Sequence, residues 1–323
     1  MNNKADTSLV RNINDGIIYK YLLKNPNSTI PEISKATGFS LPTVTRTINT
    51  SIEIGLIEPT LIIGGEKGRK AQCYYFNKLF CNSLLIMIKW QRLIFKIIDV
   101  VGDVVEEDEI KINESNVIPT LKQLIGGKNR EYSNIKTVCI TLSGHIKNGI
   151  IYSSHAFPKL NGLNLKNYIE ERLHVHVSVK NSIKILPYCG EAYIDNFKHE
   201  TVLYLSFEDE DGCGAAISVN GQALSGANGA VGELYYIPIK RKRLTKAEIY
   251  IKFTQTMIAT INPDSIVFYH DDTVNIKQII SKTFEEFPDY LIPKTYIGKG
   301  IIHDNFEAMQ NIAFDFIKDS IQF

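Results

Sequence analysis

Apolar and polar positions change their period several times along this chain, and the changes mark its elements. Ile17, Ile18, Tyr21 and Leu22 recur at helical spacing. Asn25 to Ser28 breaks that pattern, and Ile30, Ile33 and Ala36 resume it as a short second helix. Gly38 then supplies a tight turn, where a residue without Cβ is least strained. Ser40 fits an N-cap and Pro42 an early helical position, so a third helix is predicted over Leu41 to Ile52, with Val44 and Ile48 facing the core. Beyond Gly55 the period shortens to that of strands: Leu56 and Ile57 lead out, Gly64 and Gly65 turn the chain, and Tyr74 to Phe76 return. Three helices followed by a hairpin read as a winged helix-turn-helix.

From Leu79 the pattern becomes that of a larger α/β body. Strands are predicted at Leu84 to Ile88, Leu93 to Asp99 and Val104 to Ile112, and a helix follows at Val117 to Ile125. Next come strands at Thr137 to Leu142 and Ile150 to Ser153, a helix at Leu165 to Arg172, a strand at Val175 to Val179 and a helix at Ile185 to Tyr193. The scheme then repeats. Strands at Val202 to Ser206 and Gly214 to Val219 are followed by an Asn220-Gly221 turn, and a helix at Ile249 to Ile261 precedes a strand at Ser265 to Tyr269. Helices at Val274 to Phe287 and Asp304 to Lys318 close the chain. Sheets followed by crossover helices, twice over, predict a two-lobed α/β region with its ligands in the cleft between lobes. The expected division is residues 1–78 for the winged helix, 79–195 for a first lobe and 196–323 for a second, with the last helix packing back on the first.

Charge sharpens the reading of the first 78 residues. They hold ten Lys/Arg and six Asp/Glu, whereas the whole 323-residue chain is only +1, leaving about −3 for the body. The basic character is local, as in a DNA reader. On the third helix Thr43, Thr45, Arg46 and Asn49, with Ser40 at its start, are the candidate groove contacts. Lys67, Arg69 and Lys70 on the hairpin tip suit phosphate or minor-groove contact. The expected partner is a double-stranded DNA operator. The five cysteines form no close pair, the run Leu84 to Ile88 is much too short to span a membrane, and no signal peptide is read at the start. A cytoplasmic protein without disulfides is the expectation.

Several phrases resemble the ROK family (repressor, open reading frame, kinase), and within it the winged-helix transcriptional regulators of the NagC/XylR type. TGFSLPTVTR, from Thr37 to Arg46, is similar to that family's reader. Gly68-Arg69-Lys70 matches its wing, and Leu142-Ser143-Gly144 a body turn. The run SGANGAVGE from Ser225 to Glu233 and the Asn262-Pro263-Asp264 phrase also match. The resemblance implies an actin-like ATPase/sugar-kinase fold behind the reader. It also implies catalytic phrases that this chain has altered. Met87-Ile88-Lys89-Trp90-Gln91 stands where the family has a first phosphate turn like DIGGT, and Trp90 would crowd that turn. Lys180-Asn181-Ser182-Ile183-Lys184 stands for a phrase like ENDAN, so Ser182 replaces the general-base carboxylate and has no comparable basicity near neutral pH. Glu210-Asp211-Gly212-Cys213-Gly214 replaces a second phosphate turn with an acidic pair, and Tyr269-His270 replaces a glycine pair.

The implied zinc loop is altered as well. Gly232-Glu233-Leu234-Tyr235-Tyr236 ends in Tyr rather than His, and Pro238 to Lys246 follows without a cysteine, so neither metal nor cofactor is expected. For an effector, the resemblance leaves Ser143, Gly144, Lys159, Asn181, Ser182, Glu233 and Tyr236 as candidates to hold a sugar or sugar derivative. Lys159 and Lys180 add positive charge that would suit a phosphorylated or acidic sugar. The resulting expectation is a non-enzymatic regulator, a repressor of carbohydrate-related genes, acting as a homodimer or tetramer. Two alternatives stay open: a sugar kinase carrying a DNA-binding module, and a body that is only a dimerisation scaffold.

Overall fold

The computed structural model describes residues 3–63, 70–208 and 212–320. Three helices lead: α1 (Asn3–Lys24), α2 (Ile30–Thr37) and α3 (Leu41–Glu53). Thr29 and Glu32 close α2 with a reciprocal capping box, and Gly38 ends it at φ 76°, in the left-handed region a glycine enters freely. The hairpin β1 (Ile57–Ile63) and β2 (Lys70–Phe76) pairs Ile57 with Phe76 through to Ile63 with Lys70. Ser28 bridges to Tyr74 and ties the hairpin to the start of α2.

The body then builds two sheets on one plan. The first comprises β3 (Asn82–Lys89), β4 (Arg92–Asp99), β5 (Val104–Lys111), β6 (Ile135–Leu142) and β9 (His176–Asn181), with α4 (Val117–Glu131) before β6. The small hairpin β7 (His145–Lys147) and β8 (Ile150–Ser153) and then α5 (Leu165–Leu173) precede β9. The second comprises β10 (Thr201–Glu208), β11 (Gly212–Val219), β12 (Gln222–Ala223), β13 (Ser265–His270) and β14 (Lys294–Ile297), with α6 (Lys246–Ile261) and α7 (Ile276–Phe284) as crossovers. Strand orders are β5-β4-β3-β6-β9 and β12-β11-β10-β13-β14. In each, the first three strands are antiparallel and the last two join in parallel through helices. The closing helix is α8 (Ile301–Ser320).

Burial orders these layers. One core packs the first sheet against α4 and α5, and another packs the second sheet against α6 and α7. Between the sheets a third core joins Leu85, Met87 and Cys139 to Tyr204 and Val267 through Ile301, Met309 and Ile312 of α8. The reader's own core, built on Ile18, Leu22, Val44 and Ile48, continues into Val100 and into Ile317 near the end of α8, and the Phe76 ring meets Phe314 edge-on at 6.0 Å. One helix therefore contributes to both the inter-sheet core and the reader core.

Some elements differ from their expected form. The segment expected as a helix at Ile185 to Tyr193 is a 3-10 turn over Leu186–Ala192. The helix expected over Val274 to Phe287 is the shorter α7, which starts after the Asn275 cap accepts from the Gln278 amide. Conversely, α4 continues through Gly126 and Gly127 to Glu131, because Lys128 joins Glu106 of β5 at 2.6 Å and Glu131 at 2.8 Å. Strand β14 falls outside every expected element. It is a four-residue edge with three exposed positions, so it lacks an apolar signal. Among the described residues no helix is long and apolar enough to cross a membrane.

Candidate DNA-reading helix and effector cleft

Helix α3 is fixed in rotation by its inner face. Val44 and Ile48 are fully buried, and the buried Thr47 donates to Asp15 of α1 at 2.5 Å. One turn on, the buried Ser51 hydroxyl bonds the Tyr19 hydroxyl of α1 at 2.7 Å. Two polar ties beside an apolar row leave little freedom to roll. At helical periodicity the opposite face is centred on Arg46 and Asn49, which are exposed, with Thr43 and Thr45 half-buried at its margins. Ser40 accepts from the Thr43 amide at 3.4 Å and shares a 2.9 Å hydroxyl contact with Thr43, so its role here is to cap the helix. Lys67 and Arg69 lie outside the described residues. Lys70 is the last paired position of the hairpin, opposite Ile63.

The body's candidate residues meet only in part. Ser143, Gly144, Asn181 and Ser182 gather at the carboxyl ends of β6 and β9, the end where open α/β sheets hold ligands. Gly144 takes φ 145°, and a Cβ there would lie 2.4 Å from the Ser153 carbonyl oxygen. Asn181 is committed to the backbone around it: its amide donates to the Gly144 carbonyl after β6 at 2.7 Å, and its oxygen accepts from the Ile183 and Lys184 amides of its own loop at 2.7 and 3.0 Å. Ser182 is buried, and its carbonyl accepts from Asn305 of α8 at 2.8 Å. Lys159 is exposed on a short 3-10 turn. Tyr236 is 79% exposed, with Tyr235 packed edge-on against it at 5.6 Å.

Glu233 has a partner that the sequence reading left out of the site. The Lys184 ammonium lies 3.5 Å from its carboxylate and donates to the carbonyls of Ala215, at 2.6 Å, and Val231. Burial pushes the Lys184 ammonium below its ordinary pKa, and Glu233 partly restores it. The signal was available in principle: Lys184 stands in the same altered phrase as Ser182.

The neighbouring phosphate-side features are filled or rerouted. Trp90 and Gln91 form the turn between β3 and β4, and Gln91 carries φ 62°, which favours glycine. The Trp90 ring is half-exposed and leans on Phe157 at 6.5 Å, and it stands outside the wall of the larger cleft, of about 1340 Å³. That wall instead carries Lys89, Arg92, Asp271, Lys299, His303 and Glu307, a set of mixed charge. Tyr269 points inward. Its ring fills the space above Gly298, where an added Cβ would come within 2.2 Å of it, and its hydroxyl donates to the fully buried Asp304 at 2.7 Å. Tyr193 donates to the same carboxylate and accepts from the Lys299 amide at 2.8 Å. Burial pushes both phenols above their ordinary pKa. Of the second phosphate turn, residues 209–211 lie outside the described residues.

The place of the implied zinc loop does not fit zinc. The residues from Tyr235 to Lys246 offer no thiolate or imidazole, and four of the five cysteines are buried. Among the described residues His303, Asp304 and Glu307 approach one another, but Asp304 is already engaged by Tyr193, Tyr269 and His303.

Residues 92–247 match the model of the ROK family, and residues 11–58 match one for winged helix-turn-helix DNA-binding. The ROK match spans just under half of the chain, and the DNA-binding match lies ahead of it. Xylose repressors of Bacillus spizizenii and Bacillus subtilis are each 21% identical to it over 244 residues, 73% of this chain and 62% of theirs. The matched region is thus less than two thirds of those relatives' length. A ROK family transcriptional regulator, a homologue of the E. coli MLC protein, superposes with a TM-score of 0.71 at 16% identity, covering 97% of this chain and 99% of its own. A ROK hexokinase from Thermus thermophilus covers 74% of this chain and 99% of its own, with a TM-score of 0.59 and 12% identity. The ROK fold follows: a winged helix ahead of a sugar-kinase-like α/β body.

Proposed function

We propose that this protein is a sequence-specific DNA-binding transcriptional regulator, a repressor of carbohydrate-related genes, whose body does not phosphorylate sugars. The observation that carries the reading is a contrast in side-chain availability. Helix α3 is pinned to α1 from behind and leaves Arg46 and Asn49 facing solvent. In the body, Ser182 stands where the family's general base would be, and Tyr269, where it has glycine, points into the core. The xylose repressors similar to this chain support the same reading. As a homodimer, or a tetramer built from it, the protein sets two copies of α3 on the half-sites of a pseudo-palindromic operator.

Effector control runs through α8 in this account. Its first turns, at His303 and Glu307, stand in the cleft wall, and its last, at Phe314 and Ile317, join the reader core. A ligand that favours one arrangement of the cleft thereby favours one placement of the reader pair. Calorimetric titration of the full chain with Mg-ATP in the presence of hexoses and pentoses, with phosphoryl transfer followed in parallel, tests the non-kinase part. Neither nucleotide binding nor transfer is expected. Clear transfer would assign the chain to the kinases that share its fold.

A further inference from the structure

A second pocket, of about 450 Å³, lies beside the effector candidates, within the size range of small-ligand sites. Edge strands β9 and β12 and the β7–β8 hairpin frame it, and α8 closes one side. Four lysines line it: Lys147, Lys166, Lys180 and Lys184. Three of them meet the protein's own groups. Lys147 donates to the Ala227 carbonyl at 2.7 Å, and Lys184 joins Glu233. Lys166 lies 3.8 Å from Glu170 at the rim. Lys180 is different: it is half-buried, and its ammonium sits 6.0 Å from the Tyr188 ring centroid. The acids on the α8 wall are Asp315, held by Lys318 at 3.0 Å, and the exposed Asp319. Ser178 and Asn148 add polar lining.

We infer that this pocket binds the anionic group of a small ligand, a phosphate monoester or a carboxylate, with Lys180 and Lys166 as its charge partners. Lys180 pays for its position twice, through burial and through repulsion from Lys166, and both lower its ammonium's pKa. A bound anion reverses both effects by pairing the charges it meets. The β7–β8 hairpin is already tied to the Ser225–Glu233 loop, through Lys147 and through His145, which meets the Asn228 carbonyl at 2.7 Å. A ligand between β9, this hairpin and the β12 edge would thus bridge both sheets. The inference rests on the body being ligand-responsive, and it is measured without DNA.

Full-length protein titrated calorimetrically with glucose 6-phosphate, glucuronate, inorganic phosphate and glucose provides the test. At least one anionic probe is expected to bind saturably and more tightly than glucose. Equal binding of inorganic phosphate and glucose 6-phosphate would support the site and assign it to the free ion. Lys180→Met should weaken the anion about tenfold or more, while Lys180→Arg keeps most of it. Because Lys180→Met also removes an unfavourably placed charge, it should raise the melting temperature of the unliganded protein. If that variant does not fold, Lys166→Ala, with its side chain 41% exposed, carries the same prediction of weaker anion binding. No saturable anion binding, or binding unchanged in both charge-removing variants, overturns the inference. That failure with operator binding intact would leave the regulator reading standing.

Discussion

The outer face of α3 and the carboxyl end of β9 hold similar residues in opposite states. On α3, Arg46 and Asn49 face solvent, while the ties that hold the helix come from Thr47 and Ser51 behind it. At the end of β9, Asn181 is committed to two bonds within its own loop and one to the Gly144 carbonyl, and Lys184 to Glu233 and two carbonyls. The lesson is that polar residues at a site mean little until their partners are known. A group free of internal bonds is available to a partner, whereas one spent on the fold contributes to stability. In this chain the reader keeps its polar face free, and much of the altered kinase-like site serves the protein's own structure.

Substitutions can break that contrast, beginning with the largest effect. Asp304→Ala removes the buried carboxylate that takes bonds from Tyr193 and Tyr269 and leaves both phenols without it. Unfolding in urea should register a loss of about 3 kcal/mol or more, and a loss below about 1 kcal/mol would show that the network is not structural. Asn181→Ala should cost roughly 1–3 kcal/mol by the same measurement, because three bonds go with one side chain. A neutral Asn181→Ala that altered only ligand binding would instead return Asn181 to the effector set. Ser40→Ala should be the mildest, at about 1 kcal/mol, through loss of the α3 cap. If it weakened operator binding severely with stability intact, Ser40 would be a contact rather than a cap.

How much of this was legible in the sequence depended on the kind of signal. Local signals read well. Gly38, Ser40 and Pro42 marked the turn and the start of α3, and Val44 and Ile48 its buried row. The doubled sheet plan followed from strand and helix order, and the resemblance to ROK proteins from short phrases along the chain. Non-local partners did not read. Nothing in the local pattern pairs Thr47 with Asp15, 32 positions away, or Tyr269 with Asp304. The inward turn of Tyr269 depends on the space above Gly298, which only tertiary packing creates. Lys184 stood in view, in the altered phrase beside Ser182, but its carbonyl acceptors, Ala215 and Val231, carry no sequence signature, so its pairing with Glu233 was not legible.

The central claim is that the reader is this protein's output, and operator binding tests it most directly. DNA sequences selected from a random pool by the full-length protein would be measured by fluorescence anisotropy at fixed salt, for the natural chain and for Arg46→Ala. The account predicts sequence-selective binding that Arg46→Ala weakens by roughly 1–3 kcal/mol, with the melting temperature unchanged because Arg46 lies outside the core. No sequence preference in the natural protein, or the same affinity after Arg46→Ala, would contradict it.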